Sequence, residues 1–345
     1  MADYKNIKGF PIQYLDSDPP NPIEGQMWFN STSQTLKGAE AATIANATWS
    51  SGGALPSPMY IGTSCGVSNT SGMAMTGFSD PGINYSSAAY QYDGASWTTV
   101  ASLNTGKNNA ASAKNSPITT TLNFTGDGPG TYSSTNESWN NTSWTEETDL
   151  NVAGNAATGF GVSSTSAGRA GGQSTVTPPS GPHFTGTEIW NGTSWTEVND
   201  LAASRRYAGG VGTVTAALYI GGDTDNPGFP GGRFTARVES WNGTSWTEIA
   251  DLNTGKYSVA AAGIQTSALV FGGDTPPYTT ATEFWNGTSW TELNDMATAR
   301  RGAAGNGSST SALSVAGDYP GSPPFLAATE EWAEPEYVVK TFTTS

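Results

Sequence analysis

Carboxylates in matched positions are the first chemistry this sequence offers. Glu137, Glu188, Glu239, Glu283 and Glu330 each stand two residues before a tryptophan, and Glu146, Glu197, Glu248 and Glu292 each stand two residues after one. Two carboxylates flanking a cleft are the apparatus of a glycosidase. A reaction centre must break the symmetry of a repeat, however, and a residue present in every unit serves the unit. These glutamates therefore read as cross-strand partners or solvated faces. Asp127, Asp223, Asp274 and Asp318 follow glycines in four units. They offer either an acidic ring able to hold calcium or caps that bond their own turns. The single Cys65 has no Cys or His at ligand spacing and reads as a small buried hydrophobe. One histidine, His183, leaves no Ser-His-Asp set to argue, and no phosphate-cradling glycine loop opens a helix. The chain reads as a non-enzyme, with no catalytic residue, no metal and no cofactor.

The elements that position these residues are written in tryptophan. Trp190-Asn191-Gly192-Thr193-Ser194-Trp195 recurs as Trp241 to Trp246 and Trp285 to Trp290. Trp139 to Trp144 carries Asn141 in place of Gly, and Tyr92 to Trp97 is a weaker first copy. The second tryptophans stand at 97, 144, 195, 246 and 290, steps of 47, 51, 51 and 44 residues, a propeller-blade period. Asn-Gly between aromatic runs predicts a type I′ hairpin with positive φ at both central residues. Alternation in Glu188-Ile189-Trp190 and Trp195-Thr196-Glu197-Val198 makes its arms half-buried strands. Upstream lie a nearly side-chain-free strand, such as Ala260-Ala261-Ala262-Gly263, and an apolar one, such as Leu269-Val270-Phe271. Small residues suit strands that converge on a common axis.

Apolar strand, Gly-Gly, acidic strand and a Trp-led strand together resemble the kelch repeat over residues 51–345. The first and third units, at Met73-Ala74-Met75-Thr76-Gly77 and Ala167-Gly168-Arg169-Ala170-Gly171-Gly172, are degenerate. The fold class this implies is all-β, a six-bladed kelch-like β-propeller. Two segments can supply the last strand of the sixth unit: Tyr337-Val338-Val339-Lys340, which the spacing favours, or Thr48-Trp49-Ser50, which would lock first blade to last. Kelch-type copper oxidases need several histidines, so a single His183 excludes that chemistry. Ser240 to Trp246 weakly resembles the sialidase aspartate box, one residue short and without an arginine triad.

Residues 1–50 do not fit the period. Asp18-Pro19-Pro20-Asn21-Pro22 is a stiff strap. Glu24 to Thr32 and Thr35 to Gly38 follow as two short strands around a polar turn. That pattern resembles a hairpin of tail-fibre and other virion structural proteins of bacteriophages. The resemblance implies a docking segment, residues 1–50, using Tyr4, Ile7, Phe10, Ile12, Tyr14, Leu15, Trp28 and Phe29, followed by the propeller, 51–345.

Symmetry is broken in the loops between the second and third strands of each unit. They offer Tyr85, Tyr132, His183, Phe184, Phe229, Tyr278, Tyr319 and Phe325 on Pro/Gly frames, a low-entropy platform for sugars or a protein. A net charge of −15 with no basic cluster argues against nucleic acid and anionic membranes. Neither a signal-peptide core nor a long apolar run is present, so the reading is a soluble protein without membrane insertion. The expectation is a non-enzymatic virion structural or adhesion protein at the particle surface, multi-copy or homo-oligomeric. It would bind other virion proteins through residues 1–45 and a host-surface glycan or protein through its loops. The alternatives are a capsid or neck decoration protein and a carbohydrate-active enzyme using loop carboxylates such as Asp225.

Overall fold

The computed structural model describes residues 12–79, 84–174, 183–224, 234–320 and 325–342. The chain divides into two units, Met1–Ala47 with Glu334–Ser345, and Thr48–Ala333. No helix among the described residues is long and apolar enough to cross a membrane.

The smaller unit is built on one four-stranded sheet. Gln13–Leu15 runs parallel to Met27–Asn30, which forms a hairpin with Thr35–Ala41, which pairs in turn with Tyr337–Phe342. Its organising group is Asp18. One carboxylate accepts from Trp28 Nε1 (3.0 Å), Asn30 Nδ2 (2.8 Å) and Lys37 Nζ (2.7 Å), so strap and hairpin are tied at a single point. The Lys37 ammonium, with the Asn30 and Trp28 donors, holds the Asp18 carboxyl down at about 2.

The larger unit carries six four-stranded antiparallel sheets in sequence order. Their first strands are Thr63–Ser68, Ala111–Ser112, Thr158–Ser163, Gly209–Thr213, Ala260–Ile264 and Ala304–Gly307. Each of these contacts the first strand of the sheet before and after it, and the sixth contacts the first. A second ring is made of hydrogen bonds. Ile61 N–H donates to Gly302 O, Gly302 to Ser258, Ser258 to Tyr207, Tyr207 to Ala156, Ala156 to Asn109 and Asn109 back to Ile61, at 2.8–3.2 Å. All six residues hold left-handed backbone, φ 47° to 58°. That conformation turns each amide toward its neighbour in the ring, and five of the six accept it without being glycine, a small strain the closed circuit offsets.

The second strands fill the spaces between sheets. Leu122, Phe124, Leu218, Ile220, Leu269, Phe271, Leu313 and Val315 are fully buried. In the third strands Trp139, Trp190, Trp241, Trp285 and Trp332 are buried, and each indole donates to a carbonyl in the turn joining the first two strands. The degenerate first and third units keep the pattern, with Ser71–Met75 and Ser166–Ala170 as second strands.

Two expectations are corrected. The last strand of the sixth sheet is Thr48–Ser51, with Trp49 opposite Trp332; Tyr337–Phe342 belongs to the smaller sheet. The cause lies between Trp332 and Tyr337. In the regular hairpin the first loop residue, Asn191, accepts from the N–H groups of Thr193 and Ser194 through its Oδ1. After Trp332 the corresponding positions are Ala333, with no acceptor, and Pro335, with no N–H. The hairpin itself is also not type I′. Only Gly192 has positive φ (94°), and the loop spans four residues closed by the Asn191 side chain. Asn140, Asn242 and Asn286 do the same, and Asp93 in the first sheet.

Candidate binding site

The repeated glutamates resolve into two sets. Those of the fourth strands are exposed. Those of the third strands are buried and face cations buried as deeply: Arg169–Glu188 (2.9 Å), Arg205–Glu239 (2.5 Å), Lys256–Glu283 (2.8 Å), Arg300–Glu330 (2.5 Å) and, more loosely, Lys107–Glu137 (4.0 Å). Each glutamate also accepts main-chain N–H from the segment entering its sheet, as Glu239 does from Ala202 (2.7 Å). The carboxylates are consumed in holding adjacent segments together. Burial lowers the Lys107 amine to about 8 against the pull of Glu137, and lowers Arg169 and Arg300 also. The sequence carried a signal for these partners: Lys107, Arg205, Lys256 and Arg300 each follow the buried Leu103, Leu201, Leu252 or Met296 by four residues.

The third and first sheets depart from this rule in compensating ways. In the third, the cation's position holds Gly154, and Arg169 reaches in from the second strand; a Cβ on Gly154 would lie 2.8 Å from its Nη2. In the first, both partners are replaced together, the cation by Met59 and the glutamate by Tyr90, within one buried cluster.

Among the described residues, the carboxylates of the four aspartates bond to side chains of other segments. Asp127 accepts from Asn109 (3.1 Å) and Asn155 (2.7 Å), Asp223 from Arg206 (3.0 Å), Asp274 from Tyr257 (3.0 Å) and Arg301 (3.2 Å), and Asp318 from Tyr278 (2.9 Å) and Arg301 (3.3 Å). They are spokes of a cluster beside the hydrogen-bonded ring. At its hub, the Arg301 guanidinium lies 4.6 Å from the Tyr278 ring and 5.8 Å from that of Tyr60. Tyr60 stacks on Phe325 at 5.1 Å and Phe78 at 6.2 Å; Phe234 stacks on Tyr257 at 4.5 Å, with Tyr207 edge-on to Tyr257. Burial raises the phenols, that of Tyr278 to about 12, so these rings are neutral hydrogen-bonding groups at ordinary pH.

Of the residues assigned to the platform, Tyr278 and Phe325 meet in this cluster. Tyr132 stands opposite Asp127 in a short hairpin, on the Tyr207 side, and Tyr85 and Tyr319 are half-buried. His183 and Phe184 are corrections: His183 is only 3% exposed, and the Phe184 ring carries the buried Arg169 guanidinium at 4.6 Å. Phe229 and Asp225 lie outside the described residues, as do Tyr4, Ile7 and Phe10. Among the docking residues, Trp28 is also corrected: it is fully buried as the core of the small unit. Ile12 (51%) and Tyr14 (80%) are exposed, Leu15 is half-buried, and Phe29 packs against Tyr14 at 5.4 Å. Tyr60, Phe78, Tyr207, Tyr257 and Arg301 were missed. Phe78 follows a second strand, whereas Tyr60, Tyr207, Tyr257 and Arg301 stand just ahead of first strands, and only folding gathers them.

Beneath the cluster is a cavity of about 80 Å³, walled by the six ring residues and the segments that follow them, in four of the sheets as far as the first strand. Its walls are mostly Gly, Ala, Ser and Thr, with Ile61, Asn109, Lys114, Tyr207 and Val259 among them. At its other end Asn115 accepts from Gly212 N–H (3.0 Å) and donates to Gly263 O (2.7 Å), bridging three sheets.

With this geometry in view, the chain is similar to the solved structure of YjhT, a protein of kelch-like β-propeller type. The TM-score is 0.63 at 15% identity, over 80% of this chain and 96% of that one. The likeness is one of fold: the architecture is of β-propeller type. No family model matches this sequence, and no curated protein does.

Proposed function

We propose that the larger unit is a closed six-bladed propeller that works as a binding part, not as an enzyme, and that its recognition surface is the cluster centred on Arg301. The ring of six hydrogen bonds from Ile61 to Gly302, one residue per sheet, supports the closed count. One observation carries the binding reading: Arg301 organises Tyr60, Tyr257 and Tyr278 around itself while 27% of its side chain stays open to solvent. Stacked rings on a guanidinium, held by Asp274 and Asp318, form a rigid surface that suits the faces of sugars or an aromatic-bearing peptide. We further propose that the chain is a structural component of a phage particle, docked to neighbouring subunits through residues 1–45. The hairpin at Met27–Ala41 and the exposed Ile12 and Tyr14 support that reading.

The test has two arms. Phe325→Ala and Arg301→Gln variants, checked for an unchanged fold, should lose binding to the host surface; retained binding overturns the assignment of the face. A chain lacking residues 1–45 should fail to enter particles, and normal incorporation overturns the docking reading.

A further inference from the structure

We propose that the cavity beside the ring of six hydrogen bonds is a binding site for one small oxyanion, of the size of formate or bicarbonate, held by the ammonium of Lys114. This site is independent of the function proposed for the outer face.

Lys114 breaks the repeat where the repeat is strictest. Five residues after each member of the hydrogen-bonded ring stand Gly66, Lys114, Gly161, Gly212, Gly263 and Gly307. The five glycines all have positive φ, between 108° and 152°, and a Cβ on any of them would strike main-chain atoms. Lys114 alone puts a long side chain at this level, and its backbone is not in that conformation. The small walls provided by the other five sheets leave the room it occupies.

Its charge is unanswered. Every other lysine or arginine among the described residues lies within 4.0 Å of a carboxylate, from Lys37–Asp18 to Lys340–Glu40. Lys114 has no such partner, and no carboxylate lines the cavity. The only other titratable group on its walls is Tyr207, kept neutral by burial. Lys114 is half-buried, and desolvation among the protein atoms around it lowers its amine to about 8. It is therefore a cation at pH 7, and a desolvated cation without a counter-charge is costly.

A second group points the same way. Ser64 lines the cavity, is fully buried, and its Oγ has no hydrogen-bond partner. Three neighbouring hydroxyls are already committed: Thr63 bonds Ser112 (2.8 Å), Ser112 donates to Ser64 O (2.7 Å), and Thr158 donates to Ala208 O (3.0 Å). Ser64 Oγ is thus a second group on the cavity wall without a partner, and a hydroxyl with an ammonium is the donor set an oxyanion requires. About 10–15 Å³ holds one water, so a cavity of about 80 Å³ has room for a small anion with some of its hydration.

Formate is the probe. Isothermal titration and thermal denaturation of the full chain at pH 7, with ionic strength held constant by a bulky organic anion, should show saturable binding and a rise in Tm. Lys114→Met and Lys114→Gly remove the charge without enlarging the side chain, and the second restores the residue of the other five sheets. Both should fold and lose about ten- to a hundredfold in affinity, with Ser64→Ala losing less and Lys114→Arg retaining binding. Affinity in the wild type should fall as pH rises past about 8. The absence of saturable binding in the wild type, or undiminished binding in Lys114→Met, overturns the proposal.

Discussion

Trp49 lies directly opposite Trp332 in the sixth sheet, ring centroids 5.4 Å apart at 50°, although the two residues come from opposite ends of the larger unit. It is the relation of Trp139 to Trp144 (5.3 Å, 38°), made there across a four-residue loop. Trp49 Nε1 also donates to Thr282 in the fifth sheet, as Trp246 does to Thr187 one sheet earlier. The sixth sheet is complete only when both ends of the unit have folded together, which couples its stability to that of the whole.

Replacing Trp332, which is fully buried, with Ala should therefore cost about 3–5 kcal/mol. Deleting residues 48–51 should lower the unfolding midpoint of the whole larger unit, whereas deleting Tyr337–Phe342 removes a strand from the small sheet only. Denaturant titration followed by tryptophan fluorescence separates these cases. Equal effects of the two deletions would contradict the strand assignment.

The buried pair Arg205–Glu239 makes a two-sided prediction. Glu239→Gln alone should cost about 3–5 kcal/mol, because it strands a desolvated guanidinium. The double change Arg205→Met with Glu239→Tyr copies Met59 and Tyr90 of the first sheet and should recover most of that loss. A double-mutant cycle on equilibrium stabilities measures the coupling.

Gly154 is small because Arg169 needs the space. Gly154→Ala places a Cβ 2.4 Å from the Gln173 carbonyl oxygen and 2.8 Å from the guanidinium, and should cost about 1–3 kcal/mol. A thermal melt no lower than that of the wild type would show that the third sheet does not depend on this exchange.

In the small unit, Asp18 sets an acid limit. Its folded pKa of about 2 lies below the ordinary 3.8, so its stabilisation is fully present above about pH 4 and is lost as pH falls toward 2. The Trp28 indole N–H resonance should shift or broaden across that window. In Asp18→Asn the transition should be missing and the indole bond weakened at every pH.

Tryptophan spacing announced the repeat, because a sheet that buries one indole per hairpin must place it at the same point each time. The buried cations were also legible, four residues after each Leu or Met, once their glutamates were taken as partners. The Arg301 cluster was not. Tyr60, Tyr257 and Tyr278 are far apart in the chain, and adjacency across sheets leaves no trace in local spacing. His183 and Phe184 sit in a loop of exposed composition, yet His183 is buried and Phe184 lends its ring face to the Arg169 guanidinium. Tyr337 mimicked a fourth-strand aromatic by spacing alone; the hairpin failed on Ala333 and Pro335, whose missing acceptor and missing N–H matter only in the loop's actual hydrogen bonds.

By itself, then, the sequence determined what is local and periodic: the strands, their hairpins, the apolar and glycine-rich faces, and the need for many short sheets. Hydrophobic alternation and loop chemistry act between residues a few positions apart and are written there. Tertiary structure alone decided which end completes the sixth sheet, which carboxylates are neutralised, and that Lys114 stands without a counter-charge where its five equivalents are glycine. Those outcomes depend on what six sheets bring within about 4 Å of one another, a distance no linear order contains.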